Sequence, residues 1–149
     1  MKLEEEIKQK LFRSEYQKLN LNLLFTNNWV QNQQKKFFDE FGLTPQQYNV
    51  LRILRGSHPK PYTTSQIRER MLDKMSDASR IVDRLIQKEL VERKTCLSDR
   101  RLVDVVITQK GIDIINQSTE TLSQLENIFR QLTEAEAKTL NKLLDKLRG

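Results

Sequence analysis

The chain has 149 residues, of which 31% are charged, four are glycine and three are proline. This length and composition predict one soluble, largely helical domain with helical extensions. Its single cysteine excludes an internal disulfide and a cysteine-based metal cluster. No apolar run is long enough to span a membrane and the acidic start excludes a signal peptide, so we expect a cytoplasmic protein with no metal and no cofactor.

The first 41 residues carry apolar side chains at helical spacing, which predicts helices there. Residues 20–28 are rich in asparagine, a mediocre helix former, so we expect a bend or break in that stretch. Phe25 and Trp29 are large apolar groups that either pack within the chain or face a second copy of it. Gly42 can supply the left-handed residue that ends the segment.

A strong helix start follows. Thr44 can cap the helix, Pro45 suits its first turn, and Gln47 can reach back to complete a capping box. We expect this helix to end near Arg55. The next loop holds the only histidine, His58, which has no partner ligand in the surrounding sequence and is assigned to the loop.

A second capping box, formed by Thr63 and Gln66, predicts another helix from Thr63 to about Asp73. The turn that follows, Leu72–Met75, contains no glycine. We therefore expect the chain to reverse direction there without the residue that most easily adopts unusual backbone angles.

The next helix, over residues 76–88, is amphipathic. Its apolar residues fall on one side at spacings of three and four. Ser76 is predicted to be its N-cap. Small polar residues at this helix start allow close approach of another backbone, so that Arg80 could reach a base edge or a phosphate. Taken alone, the pattern fits an ordinary surface helix with a solvated polar face equally well.

A two-stranded ribbon is predicted next, from the β-prone segments Val91–Thr95 and Leu102–Thr108. Asp99, Arg100 and Arg101 lie at its tip. Asp99 can hold one guanidinium in a fixed pose, and a thin arginine-bearing tip fits the negative potential of a DNA minor groove. The alternative is a solvated, charged turn.

After Gly111 the chain is again predicted to be helical, with a last helix opened by a capping box of Thr133 and Glu136. The terminal helices carry more apolar surface than one small domain can cover. A two-fold dimer that interlocks the ends of both subunits would bury that surface.

The positive charge is unevenly placed. Between Thr44 and Gly111 there are 14 basic and 8 acidic residues, a net charge of +6, which equals that of the whole chain. The remaining residues, with 12 basic and 12 acidic side chains, are neutral. A basic middle segment between neutral flanks indicates a nucleic-acid-binding face on a neutral scaffold.

These motifs together resemble the MarR family of bacterial transcription regulators. The resemblance rests on motifs in matching order and spacing across residues 43–111, namely Leu43–Leu51, Ser79–Leu85, Leu90–Arg93, Asp99–Arg101 and Ile107–Gly111. It implies a mainly α fold with a small β-hairpin wing, in which a winged helix-turn-helix is flanked by dimerisation helices. The implied divisions are residues 1–43, 44–111 and 112–149. The family commonly has glycine at the position of Glu89.

The resemblance implies a homodimeric, sequence-specific DNA-binding regulator of the repressor type. Recognition helices 76–88 of two subunits would enter successive major grooves of a pseudo-palindrome, about 34–36 Å apart. The expected base-edge contacts are Ser76, Asp77, Ser79 and Arg80. The expected phosphate contacts are Arg84 and Lys88. Arg100 and Arg101 would lie at the minor groove, with Asp99 as their brace.

The resemblance also implies release of DNA by a small aromatic effector, bound between the dimerisation helices and the winged domain. The residues expected to line that cleft are Phe25, Trp29, Phe37 and Tyr48, although these side chains fit a plain core equally well. A protein-interaction module without specific DNA binding is the alternative function, and the salt dependence of duplex binding separates the two. No phosphate loop, nucleophile elbow or paired catalytic base is present, so we do not expect an enzyme.

Overall fold

The described part of the chain contains seven α-helices and three short strands in the computed structural model, which describes residues 1–95 and 103–149. The helices are α1 (Leu3–Glu6), α2 (Glu15–Glu40), α3 (Pro45–Ser57), α4 (Thr64–Arg70), α5 (Ala78–Gln87), α6 (Gln109–Glu126) and α7 (Glu134–Arg148). The strands are β1 (Tyr62–Thr63), β2 (Val91–Thr95) and β3 (Val103–Ile107). A short 3-10 turn, Asn127–Phe129, precedes α7. This is the mainly α fold with a small β wing that the sequence predicts.

All three predicted capping boxes are present. Thr44 begins α3, Thr63 begins α4 and Thr133 begins α7. In each, the threonine hydroxyl accepts a hydrogen bond from the backbone N–H three residues later, and the side chain at that position accepts one in return from the threonine N–H. These reciprocal bonds satisfy backbone groups that a helix start leaves without partners.

The predicted break within residues 20–28 is wrong, because α2 runs without interruption from Glu15 to Glu40. The interruption lies earlier, between α1 and α2, where Lys8 has a positive φ of 53°. The helix propensity of asparagine is a weak preference that its neighbours readily override. The prediction that Gly42 ends this segment is confirmed, since its φ is +60°.

The three strands form one antiparallel sheet in the order β1-β3-β2. Val91 pairs with Ile107 and Thr95 with Val103, so β2 and β3 are the predicted ribbon. The third strand, β1, was not predicted, and it pairs Tyr62 with Val105.

The chain forms two compact units. One consists of residues 37–123 and contains α3, α4, α5 and the sheet. Its buried side chains come from every one of these helices, from β2 and β3, and from α6, and they include Val50, Leu51, Leu54, Ile67, Met71, Val82, Leu85, Val91, Val105 and Ile115. This core holds the amphipathic α5 by its apolar side and leaves its polar side in solvent.

The other unit consists of residues 1–36 and 124–149. In this unit Lys18 of α2 forms an ion pair with Glu4 of α1. Leucine side chains of α7, at positions 140, 143 and 147, are exposed. None of the described helices is both long and apolar enough to cross a membrane.

Candidate nucleic-acid interface

The turn between α4 and α5 is fixed by the carboxylate of Asp73. One of its oxygens accepts a hydrogen bond from the Met75 N–H at 3.0 Å, and the other accepts one from the Ser76 hydroxyl at 2.7 Å. At the start of the same turn the Leu72 N–H donates to Oδ1 of Asn49 on α3, at 2.9 Å. An aspartate side chain that bonds the backbone two residues later makes a compact turn, which explains why this one needs no glycine.

Asp77, not Ser76, is the N-cap of α5, so the prediction of Ser76 as the cap is wrong. The Asp77 carboxylate accepts from the Arg80 N–H at 3.1 Å. Ser76 instead donates its hydroxyl to Asp73. A carboxylate is favoured at this place because the helix N-terminus carries partial positive charge. The helix therefore begins two residues later than predicted, at Ala78.

The polar side of α5 presents two guanidinium groups. Ser79, Arg80 and Arg84 are all exposed, and the side chains of Arg80 and Arg84 make no hydrogen bond or ion pair with any residue that the structure describes. Free guanidinium groups on one helix face suit phosphate oxygens and the acceptor atoms of guanine.

Two open grooves border the start of α5. The first, of about 430 Å³, lies between the first turns of α4 and α5 and is lined by Thr64, Ser65, Arg68, Lys74, Met75, Ser76, Asp77, Ala78 and Ser79. The second, of about 480 Å³, lies between the starts of α3 and α5 and is lined by Thr44, Gln46, Gln47, Ser76, Asp77, Arg80, Ile81 and Arg84. Five of the six residues that the sequence singled out on this helix therefore border one groove or both.

The sixth residue, Lys88, lies at the other end of α5 and is occupied within the chain. Its ammonium group donates to the carbonyl oxygen of Gly42 at 2.8 Å. A phosphate contact by Lys88 would have to share or replace this bond.

The helix is joined to the wing by an ion pair that the sequence analysis did not identify. The guanidinium of Arg93 on β2 donates to the carboxylate of Asp83 on α5. Both side chains are about half exposed, so the pair contributes modestly to stability, and it joins β2 to α5. The wing-tip residues Asp99, Arg100 and Arg101, together with Cys96, lie outside the described residues.

At the end of α5 the chain turns through Glu89, whose φ is +61°. The Leu90 N–H donates to the Leu85 carbonyl at 3.0 Å and the Glu89 N–H to the Ile86 carbonyl at 2.8 Å. This pair of bonds is the Schellman arrangement, which usually places glycine where Glu89 stands. The sequence has no glycine at this position, and the glutamate itself adopts the left-handed conformation.

Of the four predicted effector-cleft residues, two are in contact. The rings of Phe37 and Tyr48 lie 5.5 Å apart, edge to face, and both side chains are buried. The Tyr48 hydroxyl is 2.9 Å from the hydroxyl of Ser118 on α6. Phe25 and Trp29 are half-buried and belong to the other unit. Whether the four line one cleft remains a prediction.

The electrostatics of the site are dominated by cations. Residues 44–111 carry a net charge of +6. Among the acidic groups at the turn, Asp73 has a lowered pKa, because its carboxylate accepts hydrogen bonds from the Ser76 hydroxyl and from the Met75 backbone. In the described ranges, no cluster of three or more histidine, cysteine, aspartate or glutamate side chains is arranged to hold a metal ion.

The fold is that of a winged helix-turn-helix protein. Helices α4 and α5 are joined by the turn that Asp73 holds, and the antiparallel ribbon of β2 and β3 follows them. A sequence model described as the MarR family matches residues 41–102. A MarR transcription factor from Planctomyces limnophilus, of known crystal structure, is 32% identical, with 93% of this chain and 98% of that chain covered and a TM-score of 0.67. This chain belongs to the MarR family of transcription regulators.

Two further relatives are similar over most of their length. A mutant MarR from Escherichia coli, crystallised with operator DNA, is 25% identical, has a TM-score of 0.80 and covers 93% of this chain and 99% of its own. The HTH-type transcriptional regulator MhqR of Bacillus subtilis is 28% identical over 119 residues, which are 79% of this chain and 81% of that protein.

Proposed function

We propose that this chain is a homodimeric repressor that binds a pseudo-palindromic DNA sequence. The observation that carries the proposal is the pair of guanidinium groups, Arg80 and Arg84, on the exposed side of α5, neither of which has a partner among the described residues. The relative from Escherichia coli, crystallised with operator DNA, supports the same function.

In the proposed complex, α5 lies in the major groove, and its polar residues divide into those that contact base edges and those that contact phosphates. The side chains nearest the base edges are Ser76, Asp77, Ser79 and Arg80, and those nearest the phosphates are Arg84 and Lys88. The wing brings Arg100 and Arg101, braced by Asp99, to the minor groove. Two copies of α5 about 34–36 Å apart would match two half-sites of the operator.

The dimer is proposed to form through residues 1–43 and 112–149, which flank the DNA-binding segment 44–111. The exposed leucines of α7 supply apolar surface that a second copy would cover. Release by a small aromatic effector remains part of the proposal, with Phe25, Trp29, Phe37 and Tyr48 as its lining.

The test is fluorescence anisotropy with a duplex from the region upstream of the chain's own gene, competed by a random duplex at two salt concentrations. We expect tight, salt-sensitive binding of one dimer per site that resists the competitor. Arg84→Ala should flatten the dependence of log K on log salt by about 0.9 for one lost phosphate contact. Arg130→Ala, which removes an exposed arginine outside the basic segment, is the matched control and should leave the slope unchanged.

Arg80→Ala distinguishes base contacts from phosphate contacts. If Arg80 makes a bidentate contact to a base, its loss should reduce the preference for the operator by about 1–3 kcal/mol. Equal, weak binding of the parent protein to the operator candidate and to duplexes recovered by selection from a random pool would contradict sequence-specific binding. That result would favour the protein-interaction alternative.

A further inference from the structure

Met75 is a large apolar side chain that projects into solvent from a polar, basic surface. Met75 is 93% exposed and lies two residues before Asp77, the N-cap of α5. It lines the groove between α4 and α5 together with Arg68, Lys74 and Ser76. An apolar side chain in such surroundings gains nothing from burial within this unit and is available to a partner.

Met75 lies in a turn whose backbone is held by hydrogen bonds on both sides. Its backbone N–H is held by Asp73 at 3.0 Å, and the turn is fastened to α3 by the bond from the Leu72 N–H to Asn49 at 2.9 Å. The backbone beneath Met75 is therefore ordered before any partner arrives. Only the rotamers of one flexible side chain remain to be fixed on binding.

The neighbouring charges indicate what kind of partner Met75 meets. Arg68 and Lys74 border the same groove together with one carboxylate, that of Asp77, so the groove lining carries a net positive charge. The guanidinium of Arg80, in the first turn of α5, has no partner among the described residues. The surface therefore favours an anionic partner. In the DNA major groove, the apolar group on a base edge is the C5-methyl of thymine. Methionine, which is unbranched and polarisable, adapts well to such a small apolar target.

We propose that Met75 contacts the C5-methyl group of a thymine in the operator and so helps to determine its sequence. This inference rests on the proposed function, because it requires that α5 enters the major groove. It adds a specificity-determining residue that lies before the recognition helix and that contributes no hydrogen bond.

The test replaces thymine by deoxyuridine, which removes the methyl group and leaves base pairing unchanged. The parent protein first selects its preferred duplex from a random library, and each thymine of that duplex is then replaced in turn. We expect one position in each half-site at which the replacement weakens binding about fourfold, the effect of losing one buried methyl group. In Met75→Ala the same replacement should have no effect.

Leu72→Ala is the matched control, because Leu72 is 90% exposed on the same turn but does not line the groove. It should keep the parent's full response to deoxyuridine, and Met75→Leu should keep most of it. Thermal unfolding of each variant checks that the fold is retained.

Two outcomes would overturn the inference while the proposed function stands. In one, no thymine replacement weakens the parent; in the other, Met75→Ala responds to deoxyuridine as strongly as the parent does. Failure of the parent to select any sequence is a different result, which would refute specific DNA binding and the role of Met75 with it.

Discussion

The hydroxyl of Thr108 lies 2.8 Å from the carbonyl oxygen of Glu89, to which it donates a hydrogen bond. The same hydroxyl accepts a hydrogen bond from the Gly111 N–H at 3.2 Å. Thr108 follows β3 and precedes α6, so its side chain links the residue after the end of α5 to the start of α6. The two residues on either side of this junction, Glu89 and Gly111, have conformational or steric requirements that mutation can test.

Glu89→Gly is expected to stabilise the protein. A residue with a Cβ costs about 1–2 kcal/mol in the left-handed conformation, whereas glycine adopts it freely, although glycine also gains entropy in the unfolded chain. The ion pair of Glu89 with Lys110, at 3.0 Å and well exposed, contributes at most about 1 kcal/mol. Urea denaturation at one fixed protein concentration measures the free energy of unfolding.

The matched control for that substitution is Glu89→Ala, which removes the ion pair but keeps the Cβ. We expect the glycine variant to be about 1 kcal/mol more stable than the alanine variant. Equal stability of the two variants would show that the left-handed backbone at this position is not strained.

Gly111→Ala is expected to destabilise the protein. A Cβ at Gly111 would lie 2.4 Å from the Leu90 carbonyl oxygen and 2.7 Å from a side-chain carbon of Ile107, so backbone atoms must shift. Overpacking of this kind typically costs about 1–3 kcal/mol. Gly56→Ala is the control, because its Cβ would meet nothing within 4 Å, and it should be neutral or stabilising by up to about 1 kcal/mol. The idea fails if both variants melt at the parent's temperature.

Arg93→Gln is expected to weaken DNA binding more than it affects stability. The ion pair with Asp83 is half exposed and contributes at most about 1 kcal/mol to folding, but it joins β2 to the recognition helix. Lys94→Gln is the matched control, because it removes the same charge from the same strand. Among the described residues, Lys94 pairs only within β2, with Glu92 at 3.2 Å, so its loss should reduce DNA affinity less. Equal loss of operator affinity in the two variants would assign the effect to charge alone.

Ser76→Ala is expected to raise the pKa of Asp73 toward its usual value of about 3.9, because the Ser76 hydroxyl is the main cause of its lowering. A lowered pKa in the folded state means that Asp73 contributes stability above the unfolded pKa and loses it as the pH falls through the folded pKa. The advantage of the parent over Ser76→Ala should therefore shrink in acid. NMR titration of the Asp73 carboxyl carbon measures its pKa directly. Ser79→Ala is the control and should leave that pKa unchanged. An identical Asp73 titration in the parent and in Ser76→Ala would exclude the Ser76 hydroxyl as the cause of the lowered pKa.

What the sequence predicts well is local. The capping boxes of Thr44, Thr63 and Thr133 involve residues three apart, and their chemistry specifies a helix start without help from the rest of the fold. The β-prone residues of Val91–Thr95 and the alternation within Val103–Ile107 likewise predict the ribbon. Where two adjacent residues could both cap a helix, as Ser76 and Asp77 could, the choice depends on Asp73, which takes the serine hydroxyl as its own donor.

What the sequence does not predict depends on pairs that are distant along the chain. Strand β1 is only two residues long and exists because β3 lies beside it. The Asp83–Arg93 pair and the bond from Leu72 to Asn49 join residues 10 and 23 positions apart. Nothing in the residue pattern around either partner indicates that the two residues of such a pair come into contact.

The two carboxylates of Asp73 and Asp77, which hold the turn and cap α5, also affect how the protein would search DNA. Both carboxylates lie at the start of α5, the helix proposed to enter the major groove. In the proposed complex, the phosphate backbone of any sequence would repel both carboxylates, which would shorten the stay on non-target sequences, where attraction is purely ionic. At the operator, such a carboxylate could accept a hydrogen bond from the amino group of a cytosine. The residues that shape the turn would thereby speed dissociation from non-target DNA.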